Sequence, residues 1–397
     1  MTVPQAESLR NRVSVDSLFR DSVSSFVRKR ATSTLIDELE EHGPGYDTQD
    51  WSDLARIGVL GLLAAPFSAE SGGQYAAMSS AAAILGASTL PTPLHETAVE
   101  AVLVLTTATR VTDVRTNWLT KIAAGEAIVV PALNETGHEI AIQETQVSAK
   151  AGRGGWLITG TKRPVAYAQA ADAIIVVAKI ADTGERGLFL VPGRAEGVRV
   201  DSMPSANGHH LAAVTFEEAV VDGDSRLDGQ DVTSTMTIDR TISVAAVMRA
   251  SQLLALGSRA LSLTLRFAED RVQFGRSIGR FQVVQRHCAD MYLFLEKIRV
   301  LLAQAVLSLE TGEEIRRNSS IVKVAASEYV PQVLERAHQV HGGVGFYRDY
   351  PLERIFRRVM EAEAAGGSAR WHRARLTEML RSDERELRRG DSHAIAT

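Results

Sequence analysis

The chain has one cysteine, Cys288, in 397 residues, which excludes an internal disulfide framework and a cysteine-clustered zinc site. It has no surplus of positive charge. Its 44 Lys and Arg against 48 Asp and Glu leave a formal net charge of -4, so no general basic surface exists for nucleic acid phosphates. The longest apolar run, residues 57–67, is too short to span a bilayer, so no membrane insertion is expected. The opening MTVPQAESLRNRVSVDSLF lacks the apolar core of a signal peptide, and the expected compartment is cytoplasmic. Generic motifs are also missing: there is no GxxxxGK(S/T) loop, GxGxxG, HExxH or GxSxG. The ten histidines are scattered, and the adjacent His209 and His210 lack ligand spacing, so no metal site is expected. What remains is 45% hydrophobic and 23% charged, the composition of a globular protein. The length suggests two or three domains.

Three stretches differ in period. Residues 15–124 read as helical, with Leu18, Val23, Phe26 and Val27 on one stripe. Gly43, Pro44 and Gly45 break the pattern, Thr48 to Trp51 offers a new helix start, and Pro91 and Pro93 interrupt a second, alanine-rich region. From 127 to 221 the period becomes two, with short strands expected at 127–133, 155–158, 173–180, 187–191 and 212–216. That density suggests a small sandwich or barrel. Beyond 233 the helices lengthen. Val247, Leu254, Leu261, Leu265 and Ala268 mark the buried face of one, and residues 291–307 and 321–340 repeat the pattern, implying an antiparallel bundle. The charged segment after Leu380 reads as a frayed tail. The expected division is a helical domain at 1–125, a β domain at 126–228, a helical bundle at 229–385 and a tail at 386–397, an α+β chain overall.

Two segments stand out. In RVQFGRSIGRFQ, residues 271–282, a helix ends in a cation and a loop with Phe274, Gly275 and Gly279 leads into the next helix. Such a loop offers Arg271 to a pyrophosphate, an aromatic face to a base, and glycines that let a ligand approach the backbone. It also fits an ordinary helix-to-helix turn. In QVHGGVGF, residues 339–346, the paired glycines fit a helix C-cap or a backbone nest for an anion.

Together these segments resemble the acyl-CoA dehydrogenase family of flavoproteins: RxQFGxxIGxFQxxQ at 271–285, QxxGGxGF at 339–346, and Pro351 and Arg354 at the family's spacing. More weakly, WLITGTK at 156–162 followed by Ala171 and Asp172 looks like the family's middle strand pair. The resemblance implies an N-terminal helical domain, a middle β-barrel or sandwich and a C-terminal four-helix bundle. It also implies FAD held at the boundaries of a homo- or hetero-tetramer, an acyl-CoA substrate and an electron-transferring flavoprotein as acceptor. It implies cofactor contacts from Arg271, Phe274, Gln339, Gly342, Gly343, Ser368 and Asn134, the first two reaching the flavin of a neighbouring chain. The chemistry implied is α,β-desaturation, in which a carboxylate takes the α proton while the β hydrogen passes as hydride to flavin.

The chain departs from that pattern at the base. The family glutamate falls on Gly366, and the alternative position on the preceding helix falls on Ala245. The flavin-side loop is reduced to Asn134-Glu135-Thr136-Gly137, and the family's aromatic and threonine correspond to Pro164 and Ala166. Replacement bases are sought in Glu363, His372, Glu361 and Asp239, each of which is otherwise a charge on a helix surface. The arginines at 357, 358, 370, 373 and 375 read as a solvated or interfacial face, or as an attractor of CoA phosphates. Three functions therefore stay open: a dehydrogenase with a displaced base, a non-catalytic subunit completing the flavin site of a partner, and a flavin monooxygenase relying on His372.

Overall fold

The computed structural model describes residues 3–394 apart from 65–72, 111, 136–139, 141–143, 153, 207 and 229–230. Thr136 and Gly137 of the reduced flavin-side loop thus lie outside the described residues.

The N-terminal part is helical: α1 (Val3–Arg30), α2 (Ser33–Glu41), α3 (Thr48–Ile57), α4 (Gln74–Ser88), α5 (Val102–Thr107) and α6 (Asp113–Ala123). Between α1 and α2 the chain breaks where the sequence pattern reads through, because the Thr32 hydroxyl caps α2 by accepting the Leu35 N–H at 3.3 Å. Asp47 caps α3 the same way, accepting from the Asp50 N–H at 2.8 Å. After the prolines the chain enters a π-helical segment, Leu94–Ala101, an expanded form that recurs at functional sites.

The middle part is one curled sheet of seven strands: β1 (Val129–Ala132), β2 (Ser148–Gly152), β3 (Gly155–Ala166), β4 (Ala173–Ile180), β5 (Arg186–Pro192), β6 (Val198–Met203) and β7 (Leu211–Asp222). The order is β1-β4-β2-β3-β7-β6, with β5 also paired to β4. β1 and β4 run parallel. β4 is buried on both faces, which is why it reads as a continuous apolar run rather than an alternation.

The C-terminal part comprises α7 (Asp231–Asp270), α8 (Gln282–Thr311), α9 (Ile315–His341), α10 (Pro351–Ala364) and α11 (Ala369–Ala394). A two-residue hairpin, β8 (Val272–Gln273) and β9 (Arg276–Ser277), joins α7 to α8. α7 is long and apolar enough to cross a membrane by length and composition, yet 89% of its most apolar window is buried within the protein, as for a core helix. Its expected inner face holds at Val247, Leu254, Leu261 and Ala268, but Leu265 is exposed, as is Leu18 on α1. The tail expected to fray continues α11 to Ala394; no proline interrupts it and opposite charges recur at helical spacing.

Charged side chains tie the parts together. The Glu310 carboxylate on α8 accepts the N–H groups of Gly73, Tyr75 and Ala76, capping α4 from outside. Glu40 on α2 pairs with Arg357 at 2.9 Å and Arg358 at 2.8 Å. Arg375 is buried and pairs with Asp239 at 2.8 Å. The expected solvated or CoA-attracting face is therefore corrected at these three arginines, which are spent on internal pairs; Arg370 and Arg373 alone are exposed.

Candidate active site

A cavity of about 250 Å³ opens where the three parts meet. The π-helical segment gives it Glu96 and Glu100, the chain after β1 gives Leu133 and Asn134, and β3 gives Pro164 and Ala166. α7 contributes Thr241, Ile242, Ala245 and Arg249, and the end of α10 with its loop contributes Met360, Glu361, Gly366 and Gly367.

Both positions where the resemblance places a base face this cavity and meet each other. A Cβ built on Gly366 would lie 3.5 Å from the Arg249 side chain and 3.6 Å from the Ala245 backbone. The wall thus has room for a side chain at 366, but Gly366 sits at φ +69°, a conformation that favours glycine. Neither residue can take a proton.

The replacement bases are placed as follows. His372 is fully buried behind the loop: its Nε2 donates to the Gly366 carbonyl at 2.9 Å and its Nδ1 lies 3.1 Å from the Ser320 hydroxyl. Burial pushes its imidazole down to about 3, against the bond to Gly366. With both nitrogens engaged it shapes the loop and does not line the cavity, so its expected role as base or oxygenase residue is corrected. Glu363 also lies off the cavity lining. Its carbonyl, with that of Ala362, accepts from the buried Lys323 ammonium at 2.6 and 3.1 Å. That cation stabilises the C-terminus of α10 and fixes where the glycine loop begins. Asp239 is occupied by Arg375 and by Arg316 at 3.2 Å.

Only Glu361 among the four reaches the cavity, and it is neutralised there. One carboxylate oxygen meets Arg249 at 3.0 Å and the other His209 at 3.1 Å. Burial alone would raise this carboxyl, but His209, Arg249 and Arg358 hold it well below the usual carboxylate range, which makes a weak base. Arg249, itself buried, also bonds Glu96 at 2.7 Å and Gln252 at 3.1 Å. His95 beside them is pushed well down by burial and by Arg249, and stays neutral. Glu100 has a different environment. Burial and the neighbouring Glu96 push its carboxyl up to about 8, against the pull of Arg249.

Glu96, Glu100, His95 and Arg249 were not singled out by sequence reasoning, and His209 was considered only as a metal ligand and set aside. The one local signal was His95 with a pair of glutamates four apart after two prolines; His209 and Arg249 lie more than a hundred residues away.

The expected cofactor residues divide into two groups. On the cavity side, Pro164 has no N–H and Ala166 no hydroxyl, and the Asn134 side-chain oxygen accepts the Ile140 N–H at 3.1 Å. Ser368 caps α11, accepting the Trp371 N–H at 3.3 Å. These residues offer a flavin ring little. On the outer side the arrangement is the reverse. Phe274 and Gly275 form the hairpin turn with φ of +54° and +75°, the combination a two-residue β-turn of this kind requires. A phenylalanine in this conformation is an outlier, and here its side chain is 93% exposed. Arg271 beside it is exposed and has no ion pair among the described residues. Arg276 instead stacks over Phe281 at 4.3 Å. Gln339, Gly342 and Gly343 are also exposed, with open space where a Cβ on either glycine would stand. An exposed cation, an aromatic face and open glycines are groups that could hold the adenosine-pyrophosphate end of a flavin.

Comparison with known proteins agrees with the fold. Residues 236–380 match the family model described as acyl-CoA dehydrogenase, C-terminal domain. The chain is 29% identical over 259 residues to human mitochondrial short-chain specific acyl-CoA dehydrogenase, a match covering 64% of this chain and 62% of that protein's length. It is 29% identical over 363 residues to acyl-CoA dehydrogenase FadE27 of Mycobacterium tuberculosis, covering 89% of this chain and 90% of the other. Among solved structures, a variant of the Tcur3481-Tcur3483 steroid ACAD superposes with a TM-score of 0.81 at 27% identity, covering 94% of this chain and 99% of that one. The ChsE4-ChsE5 complex of Mycobacterium tuberculosis gives 0.77 at 26% identity, covering 94% and 96%.

Proposed function

We propose that this chain, whose residues 236–380 match the acyl-CoA dehydrogenase C-terminal family model, is the flavin-completing, base-lacking subunit of a hetero-oligomeric acyl-CoA dehydrogenase. The observation that carries this reading is a contrast within one chain. The cavity wall where a base belongs is Gly366 against Ala245, while the hairpin with Arg271 and exposed Phe274 is held ready for a flavin elsewhere. In the complex, a carboxylate of the other chain takes the α proton of an acyl-CoA thioester. The bound FAD supplies hydride acceptance, and electrons leave to an electron-transferring flavoprotein. Arg271 would bond the pyrophosphate and Phe274 would cover the adenosine end.

α8 supports assembly. Leu293, Val300 and Leu307 recur every seven residues along it and are 55, 68 and 62% exposed, an apolar stripe of the kind a partner helix covers. Two similar solved proteins bear names of two-chain systems, one of them a steroid ACAD; a steroid-bearing acyl-CoA is accordingly the substrate class proposed for the complex.

The test is co-purification with a base-bearing family member from the same genome, with flavin counted per chain. One FAD per pair of unlike chains is expected, with little in this chain alone. Phe274→Ala here should lower the flavin content of the complex without dissociating it. One FAD per copy of this chain in a homo-oligomer contradicts the reading.

A further inference from the structure

A second cavity, of about 310 Å³, lies apart from the one described above, between the N-terminal helices and the start of α10. Three arginines line it: Arg259 on α7, Arg348 ahead of α10 and Arg354 on α10. Two of them have carboxylate partners. Arg354 pairs with Asp37 and, at 3.8 Å, with Glu40, and Arg348 pairs with Glu41. Arg259 has no such partner among the described residues; it donates to the Ala87 carbonyl, which occupies one arm of its guanidinium fork. It is half-buried, and burial, with the nearby Arg354 and Arg266, pushes it below the usual guanidinium value. A cation so placed has lost water without gaining a counter-charge, which is unfavourable until an anion joins it.

The backbone around the cavity has the same sign. The first turns of α2, at Ser33, and of α10, at Pro351, both line it, and helix starts carry partial positive charge on their unpaired N–H groups. No side chain caps α10, and Thr32 caps α2 at the Leu35 N–H. The end of α4 brings the opposite dipole, but its carbonyls are taken. Leu85 accepts from the Ser88 hydroxyl, Ala87 from Arg259, and Thr89 from Arg358 at 3.4 Å. Of the two carboxylates in the lining, Asp37 is held by Arg354, and Asp349 is exposed.

We propose that this cavity binds the phosphate group of a small molecule, with Arg259 as its main donor and the starts of α2 and α10 beside it. Donors arrive from three elements, which suits the spread oxygens of a phosphate better than the two coplanar oxygens of a carboxylate. The volume lies in the range of small-molecule sites, so it has room for the group that carries the phosphate.

The site involves neither flavin nor the base positions, so its test is independent of the partner-subunit reading. The full-length chain is titrated by calorimetry with inorganic phosphate, glycerol phosphate and acetate at fixed ionic strength. Saturable phosphate binding is expected, tighter for glycerol phosphate and at least about ten-fold weaker for acetate. Arg259→Met should weaken phosphate binding at least about ten-fold, the worth of a charge-assisted hydrogen bond. Arg259→Lys, which keeps the charge but loses the fork, should fall between and guards against misfolding. Asp349→Asn, which removes a like charge and leaves Arg259 in place, should tighten binding about two-fold. The proposal is overturned by absence of saturable phosphate binding up to about 20 mM, by equal affinity of native and Arg259→Met proteins, by acetate binding as tightly as phosphate, or by a monoester no tighter than inorganic phosphate.

Discussion

Replacing Glu100 with glutamine should stabilise the protein, and by an amount that grows with pH. In the unfolded chain this carboxyl titrates at its ordinary 4.5, whereas burial beside Glu96 pushes it to about 8 in the fold. A folded value above the unfolded one means that the native state holds a proton the unfolded state has shed. The stability tied to that proton is fully present below pH 4.5 and declines as pH rises towards 8. Each unit of separation is worth about 1.4 kcal/mol. At pH 7 the native protein therefore carries a penalty of about 3 kcal/mol, and at pH 5 less than about 1 kcal/mol. Glutamine has nearly the same shape, keeps a donor and does not ionise, so it removes the penalty. Urea unfolding of native and Glu100→Gln proteins, followed by tryptophan fluorescence at pH 5, 6, 7 and 8, should show the gap in the variant's favour widening across the series. A gap that does not change with pH, or a variant less stable at pH 7, would refute the assignment of Glu100 as a half-buried carboxyl that holds its proton.

Other consequences are open to direct test. Arg249→Met leaves Glu96 and Glu361 without their shared cation and should cost about 3–5 kcal/mol in chemical denaturation; Glu96→Gln added to it should recover part of the loss, measured as a double-mutant cycle. Val300→Asp places a charge in the middle of the exposed stripe on α8, and size-exclusion chromatography with light scattering should show a smaller assembly while the circular dichroism spectrum is retained. His372→Ala removes the bond to the Gly366 carbonyl and should raise amide hydrogen exchange in residues 365–368, with no effect confined to acyl-CoA turnover.

Much of the fold was readable because burial imposes period. Val247, Leu254 and Leu261 face inward on α7 at helical spacing, and β4 shows as an unbroken apolar run. Leu18 and Leu265 misled because an apolar side chain on an exposed face looks the same in sequence as one in a core. β2 and β6, with the sequences SAKAG and VRVDSM, escaped notice: β2 has only small or polar side chains, and the alternation of β6 covers four residues of a strand with no fully buried position. The outer, flavin-facing hairpin was legible because its residues are contiguous. The cavity was not. Its polar network is assembled from the π-helical segment, α7, α10 and the chain just before β7, and only folding brings Glu96, Arg249, Glu361 and His209 within bonding distance. The arginines at 357 and 358 failed for the same reason, since their partner Glu40 lies more than three hundred residues earlier.

The measurement that bears most directly on the central claim is an anaerobic titration of the purified chain, alone and then with its base-bearing partner, with steroid-bearing and straight-chain acyl-CoA thioesters while flavin absorbance is followed. The account expects no bleaching from this chain alone, even when supplied with FAD, and stoichiometric bleaching once the partner is added. Bleaching by the chain alone would contradict it and would mean that a proton acceptor other than Gly366 or Ala245 operates within its own cavity.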